Sequence, residues 1–161
     1  MIISIIEDSL VDRKIVSNHL QHLGYKSLIY DTTSSFIDDN NPGDLLLLDV
    51  NMSPINGVEY LKGLRKKSQK PVVLTTGLES FDPLILECCS YKNVSFIQKP
   101  ITKDKLMPML KYYSKRNIEL LKNITKKYKI NNYSNLEWRP PSGKTSGATN
   151  GIEYRNFQRL L

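Results

Sequence analysis

Apolar residues in this chain gather in short unbroken runs, separated by stretches in which they recur every three or four positions. The most telling run is Leu45–Leu48, closed by Asp49 and a Pro/Asn/Gly-rich turn. Four aliphatic residues without alternation predict a strand buried on both faces, as in a parallel sheet covered by helices. Met1–Ile6, Lys26–Tyr30, Pro71–Thr76 and Val94–Gln98 read as further strands. Between them the spacing turns helical. Ser9 caps a first helix, with Asp12 close to a capping-box position, Ile15, Val16, Leu20 and Leu23 on its apolar face, and Gly24 as its stop. Thr32–Asp39 allows a short helix, broken at residues 40–43. Asn56-Gly57 opens a third, with Val58, Leu61 and Leu64 inside and Arg65, Lys66 and Lys67 outside. Asp82-Pro83 starts a fourth, holding Leu84, Leu86 and the two cysteines. Thr102 caps a last helix that would run to about residue 129. Strictly alternating strands and helices predict a doubly wound α/β fold, with a five-stranded parallel sheet. The expected flavodoxin-like strand order is 2-1-3-4-5, with the site at the carboxyl edge.

Length allows one domain of ordinary size and an appendage. Cys88 and Cys89 are adjacent and offer no disulfide framework, so reduced thiols acting as small hydrophobes are expected. The apolar start MIISII is too short for a signal peptide or a membrane span and runs into Glu7-Asp8, which predicts a cytoplasmic protein without membrane contact. Charge is unevenly placed. Residues 1–91 hold 8 Lys/Arg against 12 Asp/Glu, whereas residues 92–161 hold 15 against 4. An acidic first part followed by a basic one suggests two jobs, or one job and a solubilising appendage.

The residues that end the strands carry the chemistry. Strand 1 ends in Glu7 and Asp8, strand 3 in Asp49, strand 4 in Thr75 and Thr76, and strand 5 in Lys99. In the expected order, three carboxylates, a hydroxyl and an ammonium converge on one rim. Close carboxylates repel by about 4 kcal/mol per pair at 4 Å and an effective dielectric near 20. Either one protonates or a cation sits among them. Two carboxylates, a carbonyl and retained waters suit Mg²⁺, with Asp8, Asp49 and the backbone carbonyl of Asn51 as direct ligands and Glu7 ordering a water. Such a cation is the usual companion of phosphoryl transfer. Asp49 would then be the nucleophile, with Lys99 and the Thr76 hydroxyl on the other phosphoryl oxygens. Thr75 reads as a core-facing strand residue, and His19 and His22 as solvated helix-face side chains.

Over about residues 1–115 these motifs resemble the receiver domain of two-component response regulators. The matching pieces are IIED, LLLLDVNMSPINGVEYL, PVVLTTG and VSFIQKP. The resemblance implies a signalling phosphoacceptor rather than an enzyme acting on other substrates. It implies that Asp49 takes a phosphoryl group from a sensor histidine kinase or a phosphotransfer protein. It also implies a switch in which Thr76 moves toward the phosphoryl group and Phe96 toward the vacated space, altering a helix 4/strand 5 output face for a downstream protein. Lys99-Pro100 falls where the family has a cis peptide. The sequence departs from the family pattern at Glu7, at Ser53-Pro54 and at Asn56, and none of these removes a catalytic group.

Residues 116–161 read as a basic helical extension and a polar, flexible tail. Leu106, Leu110, Tyr113, Asn117, Leu120 and Ile124 alternate four and three apart, a heptad stripe that suits a homodimer through the last helix, with Pro108 inside it. Lys122, Lys126, Lys127 and Lys129 make its far end basic, so nucleic acid or an acidic partner is an alternative. The GKT within PPSGKTSGATNG lacks the first glycine of a phosphate-binding loop, because Trp138 stands there, and no strand precedes it. Neither a helix-turn-helix nor a full output domain fits residues 131–161. The first reading is a phosphoacceptor signalling module; the alternative is a transcription-type regulator whose basic helix and tail bind nucleic acid, or a receiver cut from its effector domain.

Overall fold

Strands and helices alternate throughout the computed structural model, which describes residues 1–40, 42–78 and 82–127. The order is β1 (Ile2–Ile6), α1 (Leu10–His22), β2 (Lys26–Tyr30), α2 (Thr33–Asp38), β3 (Leu45–Asp49), α3 (Gly57–Arg65), β4 (Val72–Thr76), α4 (Pro83–Ser90), β5 (Val94–Gln98) and α5 (Lys103–Lys127). All strand pairs are parallel and the sheet order is β2-β1-β3-β4-β5, as expected. Every residue of β3 and β4 is buried, while the edge strands β2 and β5 are more open. That gradient explains why the central strands read as continuous apolar runs.

Side chains order the helix ends. The Ser9 hydroxyl accepts from the Asp12 amide at 3.3 Å, Asn56 Oδ1 from Glu59 at 2.8 Å, and Asp82 Oδ1 from Leu84 at 2.8 Å. Each cap satisfies one amide that the first helical turn leaves without a partner. At the end of α1, Gly24 takes φ +80°, and the amides of Gly24 and Tyr25 turn back to the carbonyls of Gln21 and Leu20. This reverse-turn cap needs a left-handed residue, hence the glycine.

The pleat divides the core. Leu46 and Leu48 join Phe36, Val58, Leu61, Ile85 and Cys88 in one cluster under α2, α3 and α4. Leu45 and Leu47 face the other way, where Val16 and Leu20 of α1 and Leu106 and Leu110 of α5 are also buried. Two expectations are corrected, at Ile15 and at Arg65. Ile15, placed on the apolar face of α1, is 42% exposed, because Val16 and Leu20 already fill the sheet contact. Leu84 and Leu86 of α4 lie outward, and Ile85 and Cys88 are the residues that face the core. Arg65 does not stand free outside α3: its guanidinium donates to the carbonyls of Ser68 and Lys70 and ties down the α3–β4 loop.

The chain divides into two units, Met1–Leu110 and Lys111–Leu161, with the break inside α5. The first carries the sheet and every strand-end residue singled out above. Of the second, α5 is described to Lys127. The helix is continuous through Pro108. The polar tail from residue 128 on lies outside the described residues, as do the side chains of Asn117, Leu120 and Ile124 on the heptad stripe.

Candidate functional site

Register brings the strand ends level. Ile6 pairs with Leu48, Asp49 with Thr75, and Thr76 with Gln98. Glu7, the next residue of β1, is therefore level with Asp49 on the neighbouring strand, whereas Lys99 lies two strands away and two residues past Ile97, the residue of β5 level with Asp49. The carboxylate oxygens of Glu7, Asp8 and Asp49 lie within 4.8 Å of one another, and this is the one such acidic group among the described residues. Glu7 and Asp49 are buried, at 3% and 2% exposure, whereas Asp8 is exposed.

Lys99 reaches across this rim. Its Nζ donates to Glu7 Oε2 at 2.8 Å and to Asp12 Oδ2 at 3.0 Å. Asp49 Oδ1 is also 3.0 Å away, an ion-pair distance, yet this buried oxygen accepts no hydrogen bond. Burial pushes the Asp49 carboxyl above its ordinary range; Lys99 works against that rise and Asp8 adds to it. Burial does the same to Glu7, with Lys99 opposing and Asp49 reinforcing. For Lys99, burial alone would lower the pKa, but its contacts with Glu7, Asp49 and Asp12 outweigh this and hold it above the usual lysine value. One ammonium thus serves three acids, and the rim keeps an excess of negative charge that suits a cation.

The other expected residues are in place around it. Thr76 is fully buried, and its hydroxyl accepts from the Leu78 amide at 3.0 Å. Thr75 is buried in β4. Phe96 pairs with Leu74 across the sheet and packs, half-buried, against the cluster under α2, α3 and α4. Asn51 stands exposed two residues past Asp49. Both Lys99-Pro100 and Ser53-Pro54 are cis. His19 and His22 join no acidic or thiol group that could hold a metal among the described residues.

Three residues at the site escape a reading of spacing alone. Asp12 was expected to complete a capping box. Its amide does bond Ser9, but its carboxylate turns to Lys99, while Glu7 Oε1 takes the Ser9 amide at 3.3 Å. A full opposite charge outcompetes the reciprocal cap. The Arg13 guanidinium donates to the backbone carbonyls of Glu7, at 2.7 Å, and Asp8, at 3.1 Å, and so fixes the acidic loop. Gly57 lets the start of α3 lie directly on Asp49: a Cβ there would come within 2.0 Å of the Asp49 carbonyl oxygen. The four-residue step from Asp8 to Asp12 was the available signal for the first of these.

A doubly wound sheet with its acids and one lysine gathered at the carboxyl edge places the chain in the flavodoxin-like class of α/β domains. Within that class it belongs to the response regulator receiver domain family, whose pattern matches residues 3–111. The transcriptional regulatory protein FixJ of Bradyrhizobium diazoefficiens is 29% identical over 112 residues, covering 67% of this chain and 54% of that protein. In fold it resembles a two-component response regulator from Clostridium difficile (TM-score 0.65, 20% identity, 72% of this chain and 97% of the other). It also resembles the chemotaxis protein CheY4 of Vibrio cholerae (TM-score 0.60, 23% identity, 70% and 97%). The chain spans about half or less of the length of the curated relatives it matches. The receiver is a signalling domain of two-component systems. Receiver domains bind Mg²⁺ in an acidic pocket and work with histidine kinases and downstream effectors. Among the described residues no helix is long and apolar enough to cross a membrane.

Proposed function

We propose that the chain accepts a phosphoryl group on Asp49 and passes the signal on by protein contact. The observation that carries this is the buried Asp49 oxygen, left without a hydrogen bond amid two further carboxylates and the Lys99 ammonium. The carboxylate attacks phosphorus, the P–N bond to the kinase or phosphotransfer histidine breaks, and the imidazole leaves with the electron pair. An acyl phosphate remains. Asp8, Asp49 and the Asn51 carbonyl would hold Mg²⁺, with Glu7 acting through a water; the orphaned Asp49 oxygen and the excess of negative charge fit a hard dication. Bound there, the ion neutralises charge on the transferring group. Lys99 and the Thr76 hydroxyl bind the remaining phosphoryl oxygens. To reach them Thr76 turns from the Leu78 amide, and Phe96 on the neighbouring strand follows, which alters the α4/β5 face offered to a downstream protein.

In this reading the protein turns over only its own phosphorylation and dephosphorylation, works in the cytoplasm, and is organised as a receiver over residues 1–115 and a basic extension over residues 116–161. The test is incubation with Mg²⁺ and acetyl phosphate followed by intact mass. One phosphoryl group should be gained by the wild type and none by Asp49→Asn. An unmodified, folded wild type would overturn the reading.

The basic second part, with 15 Lys/Arg against 4 Asp/Glu over residues 92–161, favours a second reading. In it the extension binds nucleic acid, or the chain is the receiver of a longer regulator. Nucleic-acid binding would weaken steeply with salt, whereas a protein-docking switch would answer mainly to the state of Asp49.

A further inference from the structure

Lys99 holds one acid more than a phosphoacceptor site requires. Glu7, Asp8 and Asp49 form the cluster that a cation would neutralise, and Asp12 lies outside that group. Asp12 nevertheless accepts a hydrogen bond from the ammonium at 3.0 Å, as close to it as Asp49 Oδ1. We propose that Asp12 is a positioning residue that competes with a phosphoryl group on Asp49 for the Lys99 ammonium, and so biases the domain toward its unphosphorylated state. The inference rests on the reading of Asp49 as acceptor.

Glu7 and Asp12 take two of the three Lys99 N–H bonds, so the ammonium can turn more than one bond to phosphoryl oxygens only by releasing one of these acceptors. Glu7 can give up its share because its charge belongs to the cation cluster; Asp12, once released, keeps an uncompensated charge. That charge is also close. Asp12 Oδ2 and Asp49 Oδ1 are each 3.0 Å from the same nitrogen, so they are no further apart than twice that distance. Phosphorylation turns the single charge of the Asp49 carboxylate into the nearly double charge of an acyl phosphate beside it. Asp12 is 39% exposed, so solvent screens the effect and keeps it moderate.

Beryllofluoride, a phosphoryl mimic, tests this by calorimetry on the full chain at saturating Mg²⁺. Asp12→Asn should bind it about two- to fivefold more tightly than the wild type, the range expected of a partly exposed ion pair. The gain should shrink at high salt. Asp12→Glu, which restores the charge, should return toward wild-type affinity. Mg²⁺ binding without beryllofluoride should not tighten in Asp12→Asn, since a negative charge has been removed. Loosening of the α1 start would weaken both affinities, so opposite signs separate positioning from mere support. Unchanged or weaker beryllofluoride binding by Asp12→Asn overturns the inference and leaves the acceptor reading standing. A wild type that binds no beryllofluoride, or an Asp49→Asn that binds it equally well, overturns both.

Discussion

Asp49 is a carboxylate that the fold tolerates rather than uses for stability. It is buried, it stands among like charges, and Lys99 offers it proximity without a hydrogen bond. Because burial raises its pKa and that of Glu7 in the folded protein, the native state holds protons more tightly than the unfolded chain does. The stability they contribute is full below the ordinary carboxylate pKa and is lost as pH rises through their raised values. Without Mg²⁺, urea unfolding should therefore show stability falling across that window. Asp49→Asn should reduce the slope and add about 1–2 kcal/mol at neutral pH, the usual return from relieving a strained functional site. Mg²⁺ should stabilise the wild type, by mass action on the folded state, and do so much less in the variant. A variant less stable than the wild type in metal-free buffer would show that Asp49 supports the fold.

At the scale of elements, the site depends on how closely α3 approaches the end of β3. Gly57 makes that approach possible, since its amide bonds the Val50 carbonyl at 3.0 Å and a Cβ would strike the Asp49 backbone. Gly57→Ala should cost about 1–3 kcal/mol, as overpacking does, and should slow acetyl phosphate uptake by displacing the acceptor. Denaturant melts and the mass assay check each part. Ser9→Ala removes only a cap and should cost about 1 kcal/mol, with uptake largely preserved. These elements were readable from sequence because each has a local signature: Leu45–Leu48 as an unbroken run, Ser9, Asn56 and Asp82 as caps, Gly24 as a stop. The rim was readable because strand ends can be lined up once the order is known. The partner of Asp12 was not, because it depends on a lysine 87 residues away and on where three N–H bonds point. Nor was the exposure of Ile15, which follows from how much of the sheet Val16 and Leu20 already cover.

For the whole molecule, the last helix joins two kinds of chain. Leu106 and Leu110 are buried in the first unit, so the start of the heptad stripe serves the domain's own core. A dimer through α5 would have to use positions further along, and sedimentation of the full chain with Leu120→Asp should then show a shift to monomer. An unchanged sedimentation coefficient would remove the stripe from the interface. The extension over residues 116–161, with 9 Lys/Arg against 3 Asp/Glu, gives the salt experiment its meaning, because the receiver over residues 1–115 is nearly neutral, at 14 against 13, and has no charge of its own to attract nucleic acid.

The reach of Lys99 has one more consequence, for the order of events as the chain folds. Its bond to Glu7 joins residues 92 apart in sequence, from just past the first strand to just past the last. Contacts this distant form late, since the intervening chain must be ordered before they can be made. A nascent chain lacking β5, or an intermediate with that strand undocked, would carry Asp49 and the acidic pair but no ammonium beside them. On the reading of Asp49 as acceptor, competence to take a phosphoryl group is then a check on completed folding, and reception waits until the final strand has joined the sheet.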